Sequence, residues 1–116
     1  LSFIRYGGEA VGFVHLGSRG GEIDWLEELF VLPEFQGRGI GTRAIGLAEE
    51  IVSAYSESFY IEAAARNEKA IRLYRSLGYD CLNTVTIRKD FQAERFETLS
   101  TERILDMDFR IKRYKE

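Results

Sequence analysis

Three glycines at alternate positions, Gly37, Gly39 and Gly41, separate an apolar run at 29–32 from a stretch with helical periodicity. Pro33 lacks a backbone donor and closes the apolar run, which reads as a strand. Beyond the glycines, Ile40, Ala44, Leu47, Ala48, Ile51, Val52 and Tyr55 recur at helical spacing and define one apolar face. A glycine turn that opens a helix points free N–H groups outward at the positive end of the helix dipole, and the chemistry it offers is anion binding, above all of phosphate. A turn of this kind can equally join strand to helix with no ligand at all. Two familiar phosphate motifs do not fit. A P-loop requires a lysine after its last glycine, and here Thr42-Arg43 follows Gly41. The dinucleotide fingerprint requires the spacing G-x-G-x-x-G, and the third glycine comes one residue too early.

A second group of polar residues follows. Glu62 is the one charge in an otherwise apolar strand-like run at 58–64. Asn67 precedes a helical pattern, Ala70, Ile71, Leu73, Tyr74 and Leu77, that ends at Gly78, so Asn67 reads as its N-cap and Gly78 as its left-handed terminator.

The segment Gln36-x-x-Gly39-x-Gly41, followed one strand later by Asn67-x-x-Ala70-x-x-Leu73-Tyr74-x-x-x-Gly78-Tyr79, resembles the two paired motifs of the GNAT superfamily of N-acetyltransferases. The resemblance covers roughly residues 9–87. It implies acetyl-CoA as donor, an amine as acceptor, and direct transfer with no covalent enzyme intermediate. By position, Gln36 belongs to the cofactor turn, and the amides of Gly37, Arg38, Gly39, Ile40, Gly41 and Thr42 would hold the pyrophosphate. The backbone of Leu29, Phe30 and Val31 would pair with the pantetheine arm as an added strand, which requires strands three and four to splay apart beyond Val31. One such N–H could also polarise the thioester carbonyl. Asn67 would contact the cofactor arm besides capping its helix. Tyr74 matches the family's general acid for the departing thiolate, against the plainer reading of a packed tyrosine.

An amine acceptor must lose a proton, so a base is expected. Glu62 is the first candidate, and the ribosomal-protein N-terminal acetyltransferases carry a glutamate at the matching position. Burial beside the cleft would raise its pKa into a useful range. Glu27 and Glu28 are the alternatives, and period-two alternation lets only one of them face the acceptor. Glu22, Asp24, Glu27 and Glu28 could draw in a cationic substrate, or simply form a solvated strand face. Trp25 reads as packing or as an acceptor-pocket wall, His15 as a surface or core residue, and Cys81 as a small core filler. A binding module that retains acetyl-CoA or CoA without transferring the acetyl group is the alternative reading. A nucleotide site of another kind survives only if the second motif is ignored.

Composition bounds these readings. The chain has 116 residues, 45% of them hydrophobic, which is one domain's worth. A net charge of -3 and a pI near 5.3 give no electrostatic reason to expect nucleic acid or a membrane surface, and Lys112, Arg113 and Lys115 are the one small basic cluster. One cysteine precludes an internal disulfide and fits a reducing, cytoplasmic compartment, and no Cys/His spacing suggests a metal.

Read in order, the pattern predicts strands at 2–6, 9–16, 22–32 and 58–64, with helices after the third and fourth. A strand region from Tyr79 includes 84–87, an unassigned polar connection covers 91–101, and a last strand spans 104–114. Gly12 marks a bulge or a close backbone approach. The expected fold is α/β: a mixed, mostly antiparallel sheet with a central parallel pair, in the order β-β-β-α-β-α-β-β. The family's resemblance further implies a strand and one or two helices ahead of Leu1. The domain is therefore expected to be N-terminally truncated, with an exposed sheet edge that a homodimer would cover, by exchange of the last strand if need be.

Overall fold

The computed structural model describes residues 1–116, which form two compact units, Leu1–Glu62 and Ala63–Glu116. The first unit holds a four-stranded sheet, β1 (Ser2–Tyr6), β2 (Glu9–Gly17), β3 (Trp25–Val31) and β4 (Tyr60–Ile61), in that spatial order. The helix α1 (Ile40–Ser53) crosses from β3 to β4. β1, β2 and β3 pair antiparallel, while β3 and β4 pair parallel, as a strand–helix–strand crossover dictates. The predicted mixed sheet, its parallel pair, the two helices and the element order are all present.

The core of this unit is small and aliphatic. Val11 from β2 and Leu26 from β3 are buried together with Ile40, Ala44, Ile45, Ala48 and Val52 of α1. Each larger side chain among these contributes roughly 1.5–3 kcal/mol on burial. The buried stripe of α1 is rotated from the face the sequence suggests. Ile45 is almost fully enclosed, whereas Leu47 and Ile51 are exposed. The i, i+4 series 40–44–48–52 takes the sheet, and that places 47 and 51 on its flank.

Two irregularities shape the sheet. Ile4 pairs with Gly12 and Arg5 with Ala10, so Val11 is an extra residue on β2 and forms a bulge. Its carbonyl accepts from Leu32 N–H at 2.8 Å. Beside it, Gly12 lies against β3 so closely that a Cβ would stand 2.0 Å from the Phe30 carbonyl oxygen. Backbone cannot yield there as a flexible side chain would. Gly12→Ala is expected to destabilise the protein by about 3 kcal/mol, read as a lower urea midpoint at unchanged m-value. A midpoint within experimental error of the parent would show that β2 and β3 can part without cost.

The second unit carries α2 (Glu68–Ser76) and a separate hairpin of β5 (Phe96–Ile104) and β6 (Met107–Tyr114). Asn67 caps α2, its Oδ1 accepting from Ala70 N–H at 3.2 Å. Gly78, at φ 101°, ends the helix, with Tyr79 N–H on the Tyr74 carbonyl and Gly78 N–H on that of Arg75. This is a Schellman closure. None of the expected core face of α2 is buried: Ala70, Tyr74 and Leu77 are half-buried, and Ile71 and Leu73 are exposed.

The strand expected at 84–87 does not form. Residues 79–90 have no regular structure, and Leu82, Val85 and Ile87 are exposed. Alternating residues make a strand only where a ladder receives them, and none forms here. The polar connection at 91–101 instead supplies most of β5. β6 begins at Met107, later than expected, because Leu105 and Asp106 take left-handed φ values of 53° and 62° and make a two-residue hairpin turn. The polar strands are held in register by cross-strand pairs, Glu97 with Arg113, Arg103 with Asp108 (3.1 Å) and the edge-to-face Phe96–Tyr114 rings. Cys81 is exposed and does not fill a core. No helix is long and apolar enough to cross a membrane.

Candidate active site

The glycine turn is built tightly onto the end of β3. A short 3-10 turn at Pro33–Phe35 follows the strand, and the Gln36 side chain reaches back to donate from Nε2 to the Val31 carbonyl at 2.8 Å. Gly37 and Gly39 both sit at left-handed φ, 76° and 78°, where a side chain is strained, and a Cβ on either would point into open space. Gly41 has no such φ, and a Cβ there would meet only Leu29 Cδ2 at an ordinary 3.8 Å. Gly39 is the N-cap of α1 and offers no side-chain cap, and the first intrahelical bond closes from Arg43 N–H to the Gly39 carbonyl. The amides of Ile40, Gly41 and Thr42 are therefore the helix's orphan donors, with no acidic residue in the first turn to satisfy them. Arg38, stacked over Phe35 at 5.2 Å, and Arg43 add positive charge at the same end.

The adjoining strand edge is open. β4 pairs with β3 only at Trp25 and Leu26, so Glu27 to Val31 have no ladder partner on the side away from β2. The splay expected beyond Val31 thus begins earlier, at Glu27, because β4 pairs over only two residues. Phe30 is exposed, its ring 5.6 Å from that of Phe13, and Leu29 and Val31 are half-buried. The Phe30 carbonyl faces Gly12 on β2 and the Val31 carbonyl already serves Gln36, which leaves Leu29 as the backbone free to receive an extended ligand.

The acidic candidates are all in the first unit. Glu62 lies just past β4, exposed, with no hydrogen bond or ion pair. The burial expected of it is absent, because β4 ends at Ile61. Glu27 and Glu28 do not alternate as simple strand neighbours. His15 pairs with Glu28 and Leu16 with Leu26, which makes Glu27 the extra residue of a second bulge. Both carboxylates then act on one region: Glu28 Oε1 is 3.8 Å from His15 Nδ1, and Glu27 is within electrostatic reach of the same ring. Glu27 is committed to a bidentate pair with Arg19, whose hydrogen bonds hold its carboxyl below the usual carboxylate range. Sequence reasoning missed this arginine, because it stands eight residues away in an exposed turn.

In the second unit, Asn67 and Tyr74 are seven residues apart, two helical turns, and so share a face of α2. The Asn67 side chain serves as the cap. The Tyr74 ring meets Tyr79 edge-on at 6.4 Å, and its hydroxyl makes no hydrogen bond. The structure thus brings together the turn, the open strand edge and the acids in one unit, and the asparagine and tyrosine in the other.

An uncapped glycine turn stands beside an unpaired strand edge. The model of the acetyltransferase (GNAT) family matches residues 1–79, and the chain belongs to that family. It is 36% identical over 55 residues to the thialysine N-ε-acetyltransferase of Mus musculus, a match covering 47% of this chain and 32% of the relative. It is 38% identical over 56 residues to the spermidine N(1)-acetyltransferase of Escherichia coli K12, covering 45% and 29%. The chain thus spans about a third of the length of the curated relatives it matches. Among solved structures, an apo aminoglycoside antibiotic 6'-N-acetyltransferase from Acinetobacter haemolyticus superposes with a TM-score of 0.52 at 23% identity, over 76% of this chain and 67% of that one. This likeness supports the fold.

Proposed function

We propose that the chain carries the donor site of an acetyl-CoA-dependent N-acetyltransferase acting on a primary amine. The observation that carries this reading is the row of orphan amides at Ile40, Gly41 and Thr42, set against a β3 edge that β4 leaves unpaired. The amides hold the pyrophosphate, and the Leu29 backbone takes the amide-bearing arm in β-fashion. In the transfer step the amine nitrogen forms a bond to the acetyl carbon as the carbon–sulfur bond breaks. Glu62 takes the proton that the amine loses, and Tyr74 gives its phenolic proton to the thiolate. Glu62 suits the task better than Glu27 because its carboxylate is not tied up in an ion pair, whereas Arg19 holds that of Glu27. The names of the relatives, thialysine, spermidine and aminoglycoside acetyltransferases, favour a small-molecule amine over a protein N-terminus as acceptor.

Calorimetric titration with acetyl-CoA, followed by acetylation assays on a panel of amines, tests the reading. Binding in the micromolar range and turnover of at least one small amine is the expected result. Binding without turnover of any amine would favour a CoA-binding module, and absence of binding would remove the proposal.

A further inference from the structure

The turn between β2 and β3 places a cation where a ligand cation would be recognised. The Arg19 guanidinium lies 4.4 Å from the centroid of the Trp25 indole, and the indole is itself stacked on Tyr60, with ring centroids 4.9 Å apart at 17°. Arg19 Nη2 donates to Glu27 Oε2 at 3.1 Å, Nη1 donates to Oε1, and Glu62 is in electrostatic range of the same guanidinium. The seat of the Glu27 carboxylate exists only because residue 17 is glycine: a Cβ there would stand 2.4 Å from Glu27 Oε1. An aromatic face with flanking carboxylates is the usual chemistry of an organic-cation receptor.

We propose that Trp25 and Glu27 form a binding site for an alkylammonium group, and that the chain's own Arg19 occupies it until a ligand displaces it. Displacement is easy because nothing buried holds Arg19. Its side chain is 44% exposed, and it sits in the Ser18–Gly21 turn, where Gly20 takes a left-handed φ of 100°. Exposed ion pairs and exposed cation–π contacts are both weak, so a ligand ammonium competes on nearly equal terms. The site adjoins the proposed base, Glu62. It therefore names the acceptor class, given that the acetyltransferase reading holds: amines carrying a second cationic group, such as diamines and polyamines.

Trp25 is the only tryptophan of the chain, so its fluorescence reports occupancy without acetyl-CoA or turnover. The full chain is titrated with propane-1,3-diamine, with propane-1,3-diol as neutral control. A saturable change with the diamine alone is expected. Arg19→Ala and Arg19→Gln should each tighten the diamine Kd by about tenfold, the combined worth of one weak ion pair and one weak cation–π contact. Glu27→Gln should weaken it by a similar factor. A flat titration in Arg19→Ala, or an affinity no better than that of the parent in both Arg19 variants, overturns the proposal. Saturation without acetylation of any amine would leave this site standing and remove the enzyme reading. Acetylation with silent fluorescence would do the reverse.

Discussion

Gly39→Glu is expected to leave the fold in place and to weaken acetyl-CoA binding by on the order of 100-fold. Residue 39 is the N-cap of α1 at φ 78°, and a Cβ there points into open space. The cost to the fold is the strain of a non-glycine residue in left-handed geometry, about 1–2 kcal/mol. The cost to binding is of another kind. A carboxylate would sit over the orphan amides of Ile40, Gly41 and Thr42, satisfying them and repelling a pyrophosphate at close range. Gly39→Ala separates the two effects, since it carries the strain without the charge and should lose no more than about tenfold. Gly41→Ala should bind nearly as the parent does, because residue 41 is at ordinary φ and its Cβ makes a normal contact with Leu29. Calorimetry with circular dichroism at the same concentration reads all three. Parent-like affinity in folded Gly39→Glu would place the anion site elsewhere.

Tyr74→Phe should lower kcat by about 100- to 1,000-fold while leaving the acetyl-CoA Kd unchanged, the range typical of losing a general acid. The substitution is clean for this purpose. The hydroxyl makes no hydrogen bond, and the edge-on contact with Tyr79 belongs to the ring, so phenylalanine keeps the packing. Phenol and thiol have similar unperturbed acidities, so transfer to a departing thiolate is close to balanced. A purely structural tyrosine would give the opposite pattern, with kcat within threefold of the parent and stability unchanged, because the ring contact with Tyr79 is kept. That outcome would return Tyr74 to the role of a packed aromatic.

Local features of this protein were legible in its sequence where one residue type answers one geometric demand. Glycine at 39 and 78 takes left-handed φ, Asn67 caps, and Pro33 ends a strand, and each is found where the spacing places it. Features that depend on a partner strand were not legible. β5 is polar along most of its length and becomes a strand only through its pairing with β6, while residues 84–87 have the strand composition and no ladder. The same applies at the site. Alternation predicts that Glu27 and Glu28 diverge, and a bulge, visible only in the register with β2, brings them to one region. Arg19 was invisible because its meaning lies in the Trp25 ring and the Glu27 carboxylate above and beside it.

The tie from Gln36 to Val31 has a kinetic and entropic side. Between the end of β3 and the start of α1, Phe35 N–H bonds the Leu32 carbonyl at 2.9 Å, Gln36 N–H that of Pro33 at 3.2 Å, and the Gln36 side chain that of Val31 at 2.8 Å. On the proposed reading, the segment that leads into the anion site is therefore tied down before a ligand arrives. Ordering a loose loop would cost about 1–2 kcal/mol per residue in backbone freedom, to be deducted from affinity. Here these bonds form on folding, so on that reading a pyrophosphate would meet a turn whose approach is set rather than one that must be assembled around it.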